Sequence, residues 1–420
     1  MFHKQRDIRQ AAIVVIGNEV TSGLIEETNS RTISIRLQEV GVDVACVIAV
    51  GDQTEAIIEA LEWALASAEV IVVTGGLGPT HDDITKNVLA GLFQSGFRED
   101  EKVLAAIERF FHRRGRPVPD YALEQSSVPE KAEILYNDKG TSPGLLFHKD
   151  GKRLYALPGV PLEMEHLLQK FILPQLASIK KTGIIHRLLK TTGITESALW
   201  EKIGSIDFLK DQVTVASLPS HLGVNIRLSA CGKEKMREKI SAAEAFICEK
   251  AGNYIYGMDE DTLEGSVGRL LLAGKLTLAV AESCTGGLIG HRITNIAGSA
   301  DYFLEGFVTY SNAAKQGRIG VKKNLLDGYG AVSRETAAAM AEGVRKVSGA
   351  DIGLAVTGIA GPEGGSEKKP VGLTFIALDT STGRTCEQFL FPQDRVRNKE
   401  RASQAALHLL RLWLLDHLSC

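Results

Sequence analysis

Leu276-Thr-Leu-Ala-Val-Ala-Glu-Ser-Cys-Thr-Gly-Gly287 reads as a buried strand that delivers Ser283 onto a Gly-containing turn. Leu288-Ile-Gly-His-Arg-Ile293 then continues as a helix. Backbone N–H groups converge at such a strand-to-helix turn, so an oxyanion or a phosphate could be held beside the hydroxyl. Strand, turn and helix in this order make an α/β fold of two domains with mainly parallel sheets, because the same alternation recurs at the other end of the chain. There Ala11-Ala-Ile-Val-Val-Ile16 is a short apolar run suited to a strand buried on both faces. Asn29 to Val40 has helical spacing, Gly41 to Val50 returns to strand, Thr54 to Ala68 is an amphipathic helix, and Val70-Ile-Val-Val73 is another buried strand. Leu154 to Pro161 and a helix from Leu162 to Leu173 end this unit, with Pro174 as its expected stop. Ligands in such folds gather at the carboxyl ends of the strands, where the Gly-rich turns fall.

The chain has 420 residues, 44% hydrophobic and 24% charged, with 48 basic and 51 acidic side chains and a net charge of −3. That length predicts two to three domains, and the charge balance gives no global attraction to nucleic acid or anionic membranes. Six cysteines, at 46, 231, 248, 284, 386 and 420, are scattered without a C-x-x-C pair. This predicts free thiols in a reducing cytosol and argues against a zinc site or a disulfide framework. The N-terminal residues lack an apolar h-region and no stretch is apolar enough to span a bilayer, so a cytoplasmic location is expected. Between Pro174 and Gly257 the texture changes to half-exposed strands at 187–192, 213–217 and 224–230, with helices at Glu196 to Gly204 and Lys233 to Ala251. The mixed-sign run from Lys233 to Lys239 reads as a solvated helix face. The expected divisions are 8–173, 174–257 and 262–420.

Two further segments join the serine turn: Phe307-Val-Thr-Tyr-Ser-Asn-Ala-Ala-Lys315 and Val356-Thr-Gly-Ile-Ala-Gly-Pro-Glu-Gly-Gly-Ser366. If their strand ends meet on one sheet edge, Ser283, Tyr310, Lys315 and Thr357 surround a pocket. A serine needs a base within hydrogen-bond reach, and lysine serves only when burial or positive neighbours lower its pKa. The residues alone leave a plainer alternative open, in which Ser283 and Thr285 cap a helix and Lys315 is a surface charge. Cys284 is a rival nucleophile without a histidine partner in these segments, and His291 reads as a packing or surface residue.

Ala281-Glu-Ser-Cys-Thr-Gly-Gly287, Gly306-Phe-Val-Thr-Tyr-Ser-Asn312, Gly330-Ala-Val-Ser333, Thr357-Gly-Ile-Ala-Gly-Pro362 and Lys369-Pro-Val-Gly372 together resemble the C-terminal domain of the CinA family, the nicotinamide mononucleotide deamidases. The resemblance runs from about Leu263 to the C-terminus. It implies hydrolysis of nicotinamide mononucleotide to nicotinate mononucleotide and ammonia, with Ser283 as nucleophile, Lys315 as base, and Tyr310 and Thr357 lining and polarising the site without a cofactor. It also implies that Thr285, Gly286, Gly287, Gly358, Gly361 and Arg395 hold the substrate. Gln393 stands where the family usually has glycine before Asp394-Arg395.

In the N-terminal unit, Ile71 to Thr85 is a strand, a turn containing Gly75, Gly76 and Gly78, and an acidic helix start. The glycines would admit a phosphate to the backbone, and Asp82, Asp83 and Glu19 could ligate a hard cation sharing its oxygens. Alternatively the two aspartates only complement a helix dipole. Thr74-Gly-Gly-Leu-Gly-Pro-Thr80, Gly140-Thr-Ser-Pro-Gly144 and Leu157-Pro-Gly-Val-Pro161 resemble the molybdopterin-binding fold as it occurs in CinA proteins. That resemblance implies metal-dependent hydrolysis of ADP-ribose to AMP and ribose 5-phosphate. Its substrate contacts would be Thr74, Gly75, Gly76, Gly78, Asn29 and Pro158, and its metal a divalent ion of magnesium, cobalt or manganese type, with potassium also compatible. Asn18 replaces the family's usual threonine, and Tyr121 to Glu124 lack the asparagine-rich motif ahead of Gln125. The middle segment resembles the family's KH-type linker but contains no Gly-x-x-Gly clamp, so it is expected to be a spacer and homodimer contact without nucleic-acid binding. The expectation is a bifunctional hydrolase of pyridine nucleotide salvage; the alternative is a nucleotide- or pterin-binding scaffold with one or both sites silent.

Overall fold

The computed structural model describes residues 10–80, 82–179, 183–209, 213–232 and 235–418. The starts of the expected first domain and of the Lys233 helix, and Cys420, lie outside them. The chain divides into two compact units that meet at Ile185/His186, with Cys231–Met236 grouped with the first.

The first unit is built on a six-stranded sheet in the order Asp43–Val50, Gln10–Ile16, Val70–Thr74, Lys152–Leu157, Gly144–Lys149, Glu133–Leu135. The first four strands are parallel and the last two antiparallel. The run Ala11–Ile16 is buried throughout, and its alternate side chains go to opposite cores. Ala12, Val14 and Ile16 meet Ile57, Leu61 and Ala64 of helix Thr54–Ser67. Ala11, Ile13 and Val15 meet Ile33 and Leu37 of helix Asn29–Glu39. Both faces are thus covered, which is why the strand is apolar without alternation. Strands Gln10–Ile16 and Val70–Thr74 are neighbours whose carboxyl ends open side by side. A Cβ on Gly75, at φ +107°, would lie 2.0 Å from Ile16 O, so only glycine lets the two strand ends run this close.

Pro174 does not end the helix it was expected to end. Helix Pro161–Leu167 passes through a π-helical stretch, Leu168–Ile172, into Leu173–Ile179. The wider π turn shifts the bonding partner where proline brings no N–H, and the helix survives.

In the second unit the middle segment forms a four-stranded sheet in the order Thr214–Ser220, Gly223–Gly232, Gly183–Thr191, Ile255–Met258, with helices Glu196–Ile203 and Met236–Ala251. The C-terminal segment forms a five-stranded sheet in the order Phe303–Val308, Leu278–Glu282, Ile352–Gly358, Leu373–Thr380, Gly383–Leu390. Its first three strands are parallel and its last two antiparallel, so both large sheets are mixed. Leu278, Val280, Leu354 and Val356 pack under helices Leu263–Gly274 and Arg395–Leu418. On the other face the small side chains Ala279, Ala281, Ala355 and Ala377 let helix Arg334–Ser348 come close. Among the described residues no helix is long and apolar enough to cross a membrane.

The middle segment is tied to the C-terminal helix by Arg411, which is buried. Its guanidinium donates to Asn253 O at 2.8 Å, Ile255 O at 2.6 Å and Ser266 Oγ at 3.3 Å. Arg411→Ala would orphan the buried carbonyl of Ile255 and leave the part-buried carbonyl of Asn253 to water, a cost of about 1–3 kcal/mol. Urea unfolding of the full chain should show that loss, and a change under about 1 kcal/mol would mean that water replaces the guanidinium.

Candidate functional site

Ser283 follows strand Leu278–Glu282 directly, and its N–H donates to Val356 O of the neighbouring strand at 3.0 Å. Gly286 N closes the turn back onto Ser283 O at 3.1 Å. Helix Leu288–Thr294 begins next, and its cap is neither Ser283 nor Thr285. Glu282, 2% exposed, takes that place: one carboxylate oxygen accepts from Gly287 N at 2.9 Å and Ile289 N at 3.1 Å, the other from Gly290 N at 2.8 Å. A carboxylate at a helix N-terminus is favoured by both the open N–H groups and the dipole. The anion held at this turn is therefore the protein's own, and the serine hydroxyl is left free of capping duty.

Lys315 lies in the first turn of helix Asn312–Ile319, which Ser311 caps by accepting from Ala314 N at 3.1 Å. The plainer alternative of a surface charge does not hold, because the side chain is fully buried, 0% exposed. Its Nζ is 3.0 Å from Ser283 Oγ, 2.7 Å from Thr309 O and 3.2 Å from Tyr310 O. Burial lowers its pKa to about 8. A neutral amine has two N–H donors and one lone pair. Carbonyls only accept, so Thr309 O and Tyr310 O take the two protons and the lone pair is left for the Ser283 hydroxyl. That is the geometry of a general base beside its nucleophile.

Cys284 is buried and its thiol is pushed up to about 12 by that burial, which removes it as a thiolate rival. His291 is exposed and pairs with Asn295. Tyr310 is 61% exposed, and its hydroxyl accepts from Arg395 Nη2 at 3.1 Å while Arg395 Nη1 donates to Gly361 O at 2.6 Å. Tyr310, Arg395 and Gly361 therefore form one group on the open side of the site. Thr357 is fully buried and gives its hydroxyl proton to Ala331 O at 2.7 Å. That proton is committed to a neighbouring loop, so Thr357 braces the site from behind rather than polarising a substrate carbonyl. A Cβ on Gly358 would lie 3.1 Å from Cys284 Sγ, which places this glycine against the back of the serine turn. Thr285 is fully buried beneath the same turn. The sequence reading gave Glu282 no role. Its signal was an acidic side chain at the end of an apolar strand, within reach of a helix starting six residues later.

In the first unit a cavity of about 560 Å³ opens at the paired strand ends. Thr74, Gly75, Gly76, Gly78, Asn29, Pro158, Glu19, Asp82 and Asp83 all line it, which brings together every residue expected there. Asn29 Nδ2 donates to Thr74 Oγ1 at 3.0 Å and to Gly159 O at 2.8 Å, and Thr74 Oγ1 donates to Pro158 O at 3.1 Å. This leaves the buried Asn29 Oδ1 without a partner. Seven carboxylates line the cavity (Glu19, Glu26, Glu27, Asp52, Asp82, Asp83 and Glu163) and, among the described lining residues, no lysine, arginine or histidine. Burial and the charges of Glu19, Asp82 and Asp83 raise the pKa of Asp52. Asp83 Oδ2 accepts from Thr80 N at 2.9 Å, so one expected ligand is engaged in its own loop. Among the described residues no three acidic, histidine or cysteine side chains are gathered closely enough to chelate a metal by themselves.

Three family models match the chain: a probable molybdopterin binding domain over residues 12–178, the damage-inducible protein CinA KH domain over 186–257, and the CinA C-terminal domain over 260–414. A CinA-like protein of Chloroherpeton thalassium is 41% identical over 96% of this chain and 98% of its own length. One from Salinibacter ruber is 40% identical over 96% of this chain and 98% of its own. Among solved structures, the CinA protein of Thermoplasma acidophilum is 34% identical, covering 39% of this chain and 95% of its own, with a TM-score of 0.36. With relatives near 40% identity along almost its whole length and all three domain models in order, the chain belongs to the CinA family.

Proposed function

We propose that the C-terminal half hydrolyses the carboxamide of nicotinamide mononucleotide to nicotinate mononucleotide and ammonia. One observation carries this reading: the buried Lys315 amine, 3.0 Å from Ser283 Oγ with two carbonyls as its other partners. Ser283 Oγ attacks the carboxamide carbon as its proton passes to Lys315 Nζ. The resulting ammonium returns a proton to the leaving nitrogen, the C–N bond breaks, and ammonia departs from an acyl-serine ester. Water then enters, gives a proton to the same amine, and releases the carboxylic acid with Ser283 regenerated. The amides of Gly287, Ile289 and Gly290 are occupied by Glu282 and take no part in holding the oxyanion.

In the N-terminal half we infer metal-dependent cleavage of ADP-ribose to AMP and ribose 5-phosphate. The residues fit a cation shared with the substrate's phosphates rather than an all-protein cage. The carboxylates present are hard oxygen donors, burial and then their mutual repulsion raise the pKa of Asp52, and Asn29 Oδ1 is an open acceptor. Asp82, Asp83 and Glu19 would hold the ion, which polarises the pyrophosphate when bound. Gly75 and Gly76 admit the phosphate to the backbone, and Asn29, Thr74 and Pro158 brace the strand ends around it. A binding role without turnover is the second reading for this half, favoured by the engagement of Asp83 with Thr80.

Ser283→Ala should reduce ammonia release from nicotinamide mononucleotide at least about a thousandfold, and Lys315→Met at least about a hundredfold, with circular dichroism unchanged. Retained turnover in either variant removes that residue from the mechanism. Because the base form of Lys315 appears only above a pKa of about 8, kcat/KM should climb about tenfold from pH 7 to pH 9 and then level. A flat profile over that range contradicts a lysine base. For the N-terminal half, a chelator or Asp83→Ala should stop AMP formation from ADP-ribose while ammonia release continues. AMP formation indifferent to both would leave the carboxylates without a catalytic role.

A further inference from the structure

Glu282 closes the helix N-terminus beside Ser283, so a dianionic phosphate on the substrate must be held by cations elsewhere around the turn. Most nearby cations are already committed. Arg292 donates to Glu264, Ser403 and Gln404, Lys369 to Tyr329 O and Val332 O, and Arg397 pairs with Asp394. Lys315 is buried against the serine. Lys399 is different: it is half-buried and makes no hydrogen bond or ion pair with the described residues. Its Nζ stands 3.7 Å from where a Cβ of Gly286 would be, directly over the serine turn. It is four residues after Arg395 on helix Arg395–Leu418, on the same face and at the positive end of that helix.

We infer that Lys399 is the phosphate-binding, specificity-determining residue of the C-terminal site, acting with Arg395 one turn before it to select phosphorylated over dephosphorylated pyridine nucleosides. This rests on the deamidase reading. Holding the phosphate over Gly286 leaves the rest of the nucleotide free to reach back along the turn toward Ser283. Arg395 keeps a fixed orientation because two of its five N–H donors go to Tyr310 and Gly361, whereas Lys399 has all three of its donors free among the described residues. A lysine without a partner at the rim is a cost unless a ligand meets it, since an ammonium half out of water loses hydration.

The test uses the full chain with chelator present, so that the N-terminal cavity does not contribute. Ammonia release is compared for nicotinamide mononucleotide and nicotinamide riboside, and mononucleotide binding is measured by calorimetry on Ser283→Ala, which cannot turn it over. Lys399→Met should reduce the preference for the phosphorylated substrate about tenfold or more and weaken mononucleotide binding to a similar degree, and Lys399→Arg should recover most of both. An unchanged preference with ammonia still released overturns the phosphate role of Lys399 and leaves the deamidase reading standing. Mononucleotide binding that depends on Lys399, in a protein that releases no ammonia, supports the phosphate site and overturns the deamidase reading. If Lys399→Met lowers turnover of both substrates equally, Lys399 is a structural residue and the inference fails.

Discussion

The burial of Lys315 is the constraint on which the C-terminal site depends. An ammonium placed at 0% exposure with two carbonyls, a hydroxyl and no carboxylate has too little to replace its hydration, so the fold makes the neutral amine easier to reach than it is in water. Its position in the first turn of helix Asn312–Ile319 adds to this, because the positive end of a helix disfavours a second positive charge. The unfolded chain keeps that proton up to the ordinary value of 10.5, whereas the folded chain releases it at about 8. Between those limits the unfolded state binds more protons, so this residue's contribution to stability rises with pH. Below about 8 the folded protein carries the whole burden, on the order of a few kcal/mol. Under the proposed function, a site that accepts such a cost near neutrality would gain a base that loses its proton within reach of physiological pH, beside its nucleophile.

Glu282 makes that placement rigid. Three N–H groups of the turn and helix converge on one buried carboxylate, so the turn that carries Ser283 is fixed from inside rather than by a ligand. The N-terminal half is built the other way, with a glycine turn left open. The shared pattern in Thr74-Gly-Gly-Leu-Gly-Pro79 and Thr357-Gly-Ile-Ala-Gly-Pro362 has a common mechanical basis. In each, a buried threonine at a strand end gives its hydroxyl proton to a carbonyl of an adjacent loop, Pro158 or Ala331. In each, the next residue is a glycine pressed against a neighbouring strand's carbonyl, Ile16 O or Leu373 O. The motif fastens strand ends together, and whether it also meets a ligand depends on what surrounds it.

Local pattern carried much of this into the sequence. Ala11–Ile16 had to be covered on both faces, and Ser283, Tyr310 and Lys315 lay at strand ends that a shared sheet would gather. What stayed hidden depends on long-range placement. The antiparallel return of Gly144–Lys149 against Lys152–Leu157 is made by a hairpin that no apolar periodicity announces. Pro174 reads as a stop unless the π turn before it is known. Lys399 is one cation among several in its segment, and only the fold shows that the others are committed and that it alone faces Gly286. The hydroxyl of Thr357 was legible as a residue of the site, but its donation to Ala331, twenty-six residues away along the chain, was not.

The charge balance of the two sites explains why one chain can hold both. The N-terminal cavity gathers seven carboxylates with no compensating cation among its described lining residues. Under the proposed function an anionic nucleotide would enter it together with cations, so occupancy there would depend on metal concentration. The C-terminal site has the opposite character: the Glu282 carboxylate is met by backbone amides, and its open face presents Arg395 and Lys399. Under the proposed function, a phosphorylated substrate free of metal would be repelled by the first and attracted by the second. A metal-complexed pyrophosphate would have the reverse preference, since its charge would already be screened where the arginine and lysine act.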